Sequence, residues 1–327
     1  MKYLIIGGAG YIGSHVTQAF LQAGHEVTVF DNLSSGKRQN LFSEAAFVEA
    51  DILDYPTLEK TLSQGFDGLI HLAALKAAGE SMNEPERYAE NNIIGSLNIL
   101  NAAARTGVSA IVFSSTAAVY GEPTYLPIDE NHPQNPMNFY GFTKLEIERL
   151  LGWFSRLKGI RYAALRYFNA AGYDPTGTLH GLEEQPENLL PVVMETAAGI
   201  REKMAVFGDT YETRDGTCIR DYIHVSDLAD AHLRAADYLH QQKEDITVNL
   251  GSEEGITVQE MLHSARQVTG QPIPADVVSP RPGDPSVVLA SAEQAQKLLG
   301  WTAKYSDVDT LIKTTWQAYQ KEGVVRT

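Results

Sequence analysis

Short apolar runs alternate along the chain with segments in which apolar residues recur at helical spacing. The apolar runs predict buried strands at residues 2–6, 26–30, 46–50, 69–73, 110–115, 162–167 and 247–250. The helical spacing predicts helices after residue 13 and at 55–62, 85–105 and 138–157. Strands separated by helices predict an α/β fold with a doubly wound parallel sheet, in which ligands lie at the carboxyl ends of the strands.

The pattern changes after residue 172, where a loop rich in glycine, proline and acidic residues interrupts the alternation. Residues 220–250 return to a strand–helix–strand pattern, which we expect to pack back on the sheet. Two capping boxes, Thr257 with Glu260 and Ser291 with Gln294, predict helices in the last part of the chain. We therefore predict a sheet domain at 1–172 and a smaller mixed α/β part, formed by 173–219 and 251–327, that binds the substrate.

Charge and composition narrow the class of protein. The 26 basic and 41 acidic residues give a net charge of −15, which argues against nucleic acid or an anionic membrane as a partner. A single cysteine excludes an intrachain disulfide and fits a reducing compartment. No apolar run is long enough for a signal sequence or a membrane span, and no cluster of metal ligands is present in the sequence. We expect a cytoplasmic protein that must cluster its cations to bind an anionic ligand.

A glycine-rich turn links the first predicted strand to the first helix. Gly7 would allow the tight turn, Gly10 would let a pyrophosphate approach the backbone, and Gly13 would let the helix pack closely. Asp31 ends the next strand, where a carboxylate accepts hydrogen bonds from an adenosine ribose. This context predicts a Rossmann-type NAD site, although the cations in 32–38 could also accommodate the 2′-phosphate of NADP.

Tyr140 and Lys144 lie four residues apart at the start of a predicted helix, so both side chains are expected on one face. A cation one turn away favours the phenolate and lowers the pKa of Tyr140, which suits an acid/base group. Alone, this spacing is also common where a lysine packs along a tyrosine ring. Polar groups at several predicted strand ends support the catalytic interpretation, and these are Asp31, Asp51, Lys76, residues 114–116 and Asn169.

These motifs together resemble the extended short-chain dehydrogenase/reductase family. Four further segments, at 73–81, 165–169, 216–225 and 281–284, are similar to those of the UDP-glucose 4-epimerases within it. The resemblance extends over nearly the whole chain. It implies a bound NAD, a UDP-sugar substrate and isomerisation through a 4-keto sugar, with Thr116, Tyr140 and Lys144 as the catalytic residues. It also implies a homodimer that pairs the helices near 85–105 and 138–157.

The resemblance places two sets of binding residues. The implied NAD contacts are Gly7, Gly10, Tyr11, Ile12, Gly13, Asp31, Asn32, Asp51, Ile52, Leu72, Ala73, Ala74, Lys76, Asn91, Tyr140, Lys144 and Phe168. The implied UDP-sugar contacts are Thr116, Asn169, Asn188, Leu189, Phe207, Arg220, Arg281, Asp284 and Val288. The two arginines suit a diphosphate, and the alternative for each is a salt bridge to its own neighbour, Asp221 or Asp284.

Two positions depart from the family pattern. Thr116 stands where serine is often found, and its hydroxyl offers the same hydrogen bonds. Val288 stands where some members carry a bulky tyrosine beside the C2 substituent of the sugar. We hypothesise that the smaller side chain leaves room for an N-acetyl group, so that UDP-N-acetylglucosamine is also epimerised.

Two other functions remain open for a chain with these motifs. A nucleotide-sugar 4,6-dehydratase needs an acid and a base directly after the hydroxyl residue, where this sequence has Ala117 and Ala118. A non-catalytic NAD-binding protein of the same fold would not need Thr116, Tyr140 and Lys144 together.

Overall fold

A computed structural model describes residues 1–184, 186–281 and 284–325. The strands are β1 Lys2–Ile6, β2 Glu26–Asp31, β3 Ala46–Glu49, β4 Gly68–His71, β5 Ala110–Ser114, β6 Arg161–Tyr167, β7 Asn169–Ala171, β8 Met204–Phe207, β9 Ile219–Arg220, β10 Tyr222–His224, β11 Ile246–Leu250, β12 Ile256–Thr257, β13 Ala275–Val278 and β14 Val287–Val288.

The helices are α1 Tyr11–Gln22, α2 Tyr55–Leu62, α3 Ala78–Ser81, α4 Pro85–Tyr88, α5 Gly95–Thr106, α6 Phe139–Lys158, α7 Leu189–Ala197, α8 Val225–Gln242, α9 Val258–Thr269, α10 Glu293–Leu299 and α11 Val308–Lys321. Single 3₁₀ turns occupy Arg38–Asn40 and Ala117–Val119, and a π-helical turn occupies Ala89–Ile94.

Seven parallel strands form the central sheet in the order β11-β6-β5-β4-β1-β2-β3. The inner strands are buried along nearly their whole length, because helices cover both faces of the sheet. The predicted Rossmann-type, doubly wound fold is confirmed. The sheet also explains why polar residues after several strands, which are far apart in sequence, gather along one edge.

The two faces of the sheet have separate hydrophobic cores. On one face Tyr3 and Val29 pack with Phe20 of α1 and Leu239 of α8. On the other face, residues of α2, α5 and α6, including Leu151, pack against the sheet. Helix α6 is therefore held on the sheet along its length, which fixes the position of its first turns.

The long helix predicted at 85–105 is interrupted. Helices α4 and α5 are separated by the π-helical turn, in which the fully buried Asn92 faces inward. Its side-chain amide donates to the carbonyl oxygen of Leu75 (3.0 Å) and its Oδ1 accepts from the Leu75 N–H (2.9 Å). The extra residue of a π-turn brings this amide to the loop that follows β4.

One of the two predicted capping boxes is present. Thr257 and Glu260 cap α9 reciprocally, as expected. The box predicted at Ser291 is wrong, because α10 begins after Ala292 without a side-chain cap. The Ser291 N–H instead donates to the Ile128 carbonyl oxygen at 2.8 Å, so this residue extends a bridge between two loops.

The remaining strands form three small sheets: β10-β7, β12-β9-β14 and β13-β8. They share a third core, which includes Met194 of α7, Val206 of β8, Met261 of α9 and Trp316 of α11. This part of the molecule is mixed α/β, as predicted. The proposed boundaries at 172, 219 and 250 stay a prediction, although β11 does form an edge of the large sheet.

Within the described ranges, none of the helices combines the length and the apolar character that crossing a bilayer requires.

Truncation of Phe20 to alanine tests the first core. Phe20 is fully buried, with its ring centroid 4.8 Å from that of Tyr3. We expect Phe20→Ala to lower the free energy of unfolding by about 3–5 kcal/mol, because it removes buried area and leaves a cavity. Urea denaturation followed by circular dichroism measures the change. Val277→Ala, at an exposed position of β13, is the control and should change stability by less than about 0.5 kcal/mol.

Candidate active site

Helix α6 presents Tyr140 and Lys144 at its amino-terminal end. Asn138 caps the helix, since its Oδ1 accepts a hydrogen bond from the Gly141 N–H at 2.8 Å. The Tyr140 N–H donates to the hydroxyl of Ser81 at 3.0 Å, which links α6 to the loop after β4. The predicted helical spacing of the two side chains is therefore present, with both at the carboxyl end of the sheet.

Lys144 is buried, with only 2% of its surface exposed. Its ammonium donates to the carbonyl oxygen of Ser114, the last residue of β5, at 2.8 Å. The Nζ atom also lies 4.8 Å from the centre of the Phe113 ring and 5.9 Å from that of Tyr140. Burial lowers the pKa of Lys144 to about 7, and the carboxylate of Glu148 opposes this shift.

Thr116 follows β5 and lies near the phenol of Tyr140, close enough to affect its pKa. Burial raises the pKa of Tyr140 to about 12, and the nearby hydroxyl of Thr116 opposes the rise. We expected Lys144 to lower this pKa. The structure does not show that effect, because the Lys144 ammonium donates to the Ser114 carbonyl oxygen and does not contribute to the pKa of Tyr140.

The glycine turn has the geometry that its sequence predicts. Gly7 has φ +86°, and a side-chain carbon there would come within 2.7 Å of the Ala73 nitrogen. A side-chain carbon on Gly13 would lie 2.0 Å from the Gly7 carbonyl oxygen, so only glycine fits. Gly10 offers no side chain to cap α1, which leaves the first N–H groups of that helix available to an anion. The turn therefore fits a dinucleotide pyrophosphate.

Asp31 joins the glycine turn to the next loop. Its carboxylate accepts hydrogen bonds from the Ala9 N–H at 3.0 Å and the Leu33 N–H at 2.8 Å. Burial raises the pKa of Asp31, and these two bonds oppose the rise. Nearby, the Asn32 amide donates to the Asp51 carboxylate at 2.8 Å, so the ends of β2 and β3 are tied together.

Two lysines near this cleft contact acidic residues of the loop after β7. Lys76, which we expected beside the cofactor diphosphate, forms an ion pair with Glu183. Lys37 lies 3.4 Å from the carboxylate of Glu184. The loop therefore bridges both sides of the cleft in this structure.

The other expected cofactor residues line the same strand ends. Leu72 and Ala73 follow β4 and donate their N–H groups to the Ile6 carbonyl oxygen, and Ala74 follows them. Tyr11 donates its hydroxyl to the Gly172 carbonyl oxygen. The remaining four are Ile12 at the start of α1, Ile52 in the core against α5, Asn91 in the π-helical turn and Phe168 between β6 and β7.

Arg220 and Arg281 lie together in the smaller part of the molecule. Arg220 forms an ion pair with Asp284, not with its neighbour Asp221. The guanidinium of Arg281 stacks on the Phe207 ring, with 3.9 Å between the guanidinium carbon and the ring centre. The neighbour salt bridges considered from sequence are therefore both wrong. Pro282 and Gly283, between Arg281 and Asp284, lie outside the described residues.

Asp221 is fully buried, and its carboxylate bonds backbone N–H groups instead of an arginine. Its carboxylate accepts hydrogen bonds from the N–H groups of Ser252, Glu253 and Ala290. These bonds tie the segment before β12 to the segment after β14. Asp221 therefore shapes the site, while Arg220 beside it faces Asp284.

Val288 lies on β14, in register with Arg220 on β9. It packs on a small cluster that includes Tyr120 and Leu145, and Phe168 and Ala117 pack on the same cluster. Ala117 follows Thr116 and Leu145 follows Lys144. Val288 thus lies between β9, which carries Arg220, and the residues that follow Thr116 and Lys144 in sequence.

The other three expected substrate residues lie around this region. The Asn169 side chain donates to the Asp221 carbonyl oxygen at 2.8 Å. Asn188 is the residue before α7 and Leu189 begins that helix. Leu189 packs on the third core together with Cys218, the residue before β9.

Sequence reasoning missed three residues. Glu148 and Arg166 form a buried ion pair directly behind Lys144, and the four-residue spacing of Lys144 and Glu148 was the available signal. Tyr211 is the third. Its buried hydroxyl has no hydrogen-bond partner among the described residues, and Arg220, Arg281 and Asp284 all influence its pKa, which burial raises.

The comparisons with known proteins agree with this geometry. A sequence model of the NAD dependent epimerase/dehydratase family matches residues 3–251. A UDP-glucose 4-epimerase of Halalkalibacterium halodurans is 45% identical over 323 residues, which cover 98% of this chain and 96% of that protein.

Solved structures show the same likeness. The UDP-glucose 4-epimerase from Brucella ovis in complex with NAD matches with a TM-score of 0.94 and 41% identity, covering 96% of this chain and 97% of that one. The UDP-Glc/GlcNAc 4-epimerase from Campylobacter jejuni matches with a TM-score of 0.87 and 38% identity, covering 98% and 99%. The chain belongs to the NAD dependent epimerase/dehydratase family.

Proposed function

We propose that this chain is an NAD-dependent isomerase that interconverts UDP-galactose and UDP-glucose through a 4-keto sugar. The observation that carries the proposal is the meeting of Thr116, Tyr140 and Lys144 at the end of β5, two strands from the glycine turn that follows β1. The names of the relatives at 40–45% identity over nearly the full chain support the same activity.

The residues at the carboxyl edge of the sheet suit NAD. The N–H groups at the start of α1 would bind its pyrophosphate, and Asp31 would accept hydrogen bonds from the adenosine ribose. The burial of Asp31 disfavours a second negative charge beside it, so NAD is favoured over NADP. Bound NAD supplies a hydride acceptor and a positively charged ring.

Tyr140 is the acid/base group for the sugar 4′-hydroxyl. The Thr116 hydroxyl lies near the phenol of Tyr140, so a sugar hydroxyl that enters between them would contact both groups. To accept the proton of the sugar hydroxyl near neutral pH, Tyr140 must be ionised, so its pKa must fall from about 12 to about 7. A fall of about five pKa units corresponds to roughly 7 kcal/mol of stabilisation of the phenolate relative to the phenol. Lys144, with its pKa near 7, is only partly charged at that pH, so it supplies part of this stabilisation.

Arg220 and Arg281 would bind the substrate diphosphate. In a chain of net charge −15, a doubly charged anion needs local cations, and these two side chains lie in one region of the smaller part. Asp284 neutralises Arg220 in the structure, so substrate binding would replace a carboxylate with a phosphate. Asn169, Asn188, Leu189 and Phe207 would surround the nucleotide.

The two alternative functions fit less well. A 4,6-dehydratase lacks its acid and base, since Ala117 and Ala118 follow Thr116 in a 3₁₀ turn. A non-catalytic protein would not need a lysine buried beside the tyrosine. Mass spectrometry distinguishes a dehydratase from an epimerase. A dehydratase gives a product that is one water lighter than the substrate, whereas an epimerase gives a product of the same mass.

We further infer that the substrate range includes UDP-N-acetylglucosamine. Val288 is small and packs on the same cluster as Ala117 and Phe168, so position 288 itself places no large ring next to the catalytic residues. The related Campylobacter jejuni protein is described as a UDP-Glc/GlcNAc 4-epimerase.

We also infer a homodimer in the cytoplasm. Helix α6 exposes Phe142, Trp153 and Leu157, and Ile94 is half exposed before α5. Apolar residues on two adjacent helices are typical of a surface that a second copy covers. The cytoplasm is a reducing compartment, which suits a chain with one cysteine.

Replacing Tyr140 with phenylalanine tests the mechanism. The purified protein, incubated with UDP-galactose and no added NAD, should convert it to UDP-glucose if the cofactor stays bound. Tyr140→Phe should lower kcat by about 10²–10⁴-fold, because it removes one proton-transfer group, while NAD and UDP still bind. The control is Tyr125→Phe, at an exposed tyrosine whose hydroxyl bonds Asp129. Unchanged turnover in Tyr140→Phe would refute the mechanism.

Enlarging Val288 tests the substrate range. We expect Val288→Tyr to reduce kcat/KM for UDP-N-acetylglucosamine by about 100-fold or more, since a ring would fill the space for the acetyl group, and to leave UDP-glucose within about threefold. Val287→Tyr, on the neighbouring position of β14, is the control. A parent enzyme at least about a thousandfold slower on the N-acetyl sugar would contradict the hypothesis.

Charges on the exposed helix face test the dimer. Leu157 is 69% exposed at the far end of α6, roughly 25 Å along the helix from Tyr140. We expect the Ile94→Glu/Leu157→Glu variant to behave as a monomer in light scattering, because two buried charges per subunit oppose association. Val277→Glu should leave the mass unchanged. A parent protein that is monomeric at micromolar concentration would rule out the proposed interface.

A further inference from the structure

Next to Lys144, the buried side chains of Glu148 and Arg166 form a bidentate ion pair. Glu148 lies one turn after Lys144 on α6, and Arg166 lies on β6. Arg166 donates from Nε to Oε1 at 2.9 Å and from Nη2 to Oε2 at 2.6 Å. Their side chains are only 8% and 4% exposed, so both charges depend on each other and on their hydrogen bonds.

The same carboxylate holds the strand end that carries Thr116. The hydroxyl of Ser115, which is fully buried, donates to Oε1 of Glu148. The Ser115 N–H donates to the Leu165 carbonyl oxygen of β6 at 2.9 Å. Ser115 is therefore tied to both α6 and β6, and the next residue is Thr116.

Two successive turns of α6 thus bind two successive residues of one strand end. Lys144 bonds the carbonyl oxygen of Ser114, and Glu148 bonds the hydroxyl of Ser115. Sliding or rotation of α6 relative to β5 would break both contacts together. The pair of bonds fixes the distance between Tyr140 on the helix and Thr116 on the strand.

Arg166 is itself held by a further chain of hydrogen bonds. Its Nη1 donates to the Tyr120 hydroxyl at 2.9 Å, and that hydroxyl donates to Oδ1 of Asn249 on β11 at 2.6 Å. Asn249 in turn donates to the Ile128 carbonyl oxygen at 3.0 Å. The ion pair is therefore anchored to two strands and a loop, which is the rigid support that a catalytic constellation needs.

We propose that Glu148 is a positioning residue of the epimerase reaction, acting through Ser115 on Thr116 and through its charge on Lys144. This inference rests on the function proposed above. Nothing in the ion pair itself contacts the sugar, so the effect is on the geometry and the protonation of the groups that do.

The negative charge of Glu148 raises the pKa of Lys144. Burial lowers the pKa of Lys144, and Glu148 is the carboxylate that raises it again. The other groups that face Lys144 are Tyr140 on α6 and His71 on β4, and burial keeps His71 neutral by lowering its pKa to about 3. Without the negative charge of Glu148, Arg166 would add an uncompensated positive charge. Lys144 would then lose its proton at a lower pH.

Two variants and one control test the proposal. Ser115→Ala removes the tether to the strand end and leaves the ion pair intact. Glu148→Gln keeps the size of the side chain and removes its charge. Glu146→Gln is the control, since Glu146 lies on the same helix and forms an exposed ion pair with Arg149. Should Glu148→Gln fail to fold because Arg166 is left unpaired, the Glu148→Gln/Arg166→Gln variant removes both charges together.

For Ser115→Ala we expect kcat to fall by about tenfold, the value of one hydrogen bond, with KM for UDP-galactose within about twofold. For Glu148→Gln we expect the alkaline limb of the kcat profile to move to lower pH by about one unit or more. A merely structural role would lower the amount of folded enzyme without moving this limb. Unchanged kcat in Ser115→Ala and an unmoved limb in Glu148→Gln would overturn the proposal.

A measurement without turnover separates this proposal from the proposed function. Hydrogen–deuterium exchange of peptides that span 110–120 reports on the Ser115 N–H, which bonds Leu165. We expect exchange about tenfold faster in Ser115→Ala and Glu148→Gln than in Glu146→Gln. A parent enzyme that epimerises no UDP-sugar would refute the function, while the exchange would still decide whether Glu148 holds the strand end. Equal exchange in all variants would overturn the positioning role.

Discussion

The buried ammonium of Lys144, bonded to the carbonyl oxygen of Ser114, is the contact on which the site depends. A lysine with 2% exposure loses most of its hydration, and each of its N–H groups needs a partner. The last carbonyl oxygen of β5 is such a partner because the strand ends there. This requirement joins the first turns of α6 to the edge of the sheet and brings Tyr140 next to Thr116. The burial also makes the lysine easy to deprotonate, so the site needs nearby negative charge.

A second constraint is the excess of acidic residues in a chain that binds two diphosphates. Several cations near the cleft have carboxylate partners: Arg220 with Asp284, Lys76 with Glu183 and Lys37 with Glu184. The Arg220 pair is mostly buried. The two lysine pairs each have a strongly exposed partner, so they contribute little to stability. They are therefore easily exchanged. Under the proposed function, an incoming phosphate would replace a carboxylate without leaving a bare cation, which would keep the cost of binding low.

Much of the sheet and the glycine turn could be predicted from sequence, because both depend on local patterns. Apolar runs mark β1, β2 and β5, and the close approach at Gly13 requires glycine. The π-helical turn could not be predicted, since it results from the burial of Asn92 against Leu75. Nor could the partner of Arg220, because Asp284 is brought to it by the pairing of β14 with β9. The predictions that failed were the unbroken helix at 85–105, the capping box at Ser291 and the neighbour salt bridges. Each was overturned by contacts between distant segments.

The raised pKa of Tyr140 is consistent with a base that acts only in the complete complex. In the structure, burial raises that pKa to about 12, and the Lys144 ammonium donates to the Ser114 carbonyl oxygen. A permanently ionised phenol at this position would carry an unsolvated charge, which burial makes costly. A phenol that stays neutral until a positive group arrives avoids that cost. Under the proposed mechanism, proton transfer would then be confined to the state in which hydride transfer can also occur.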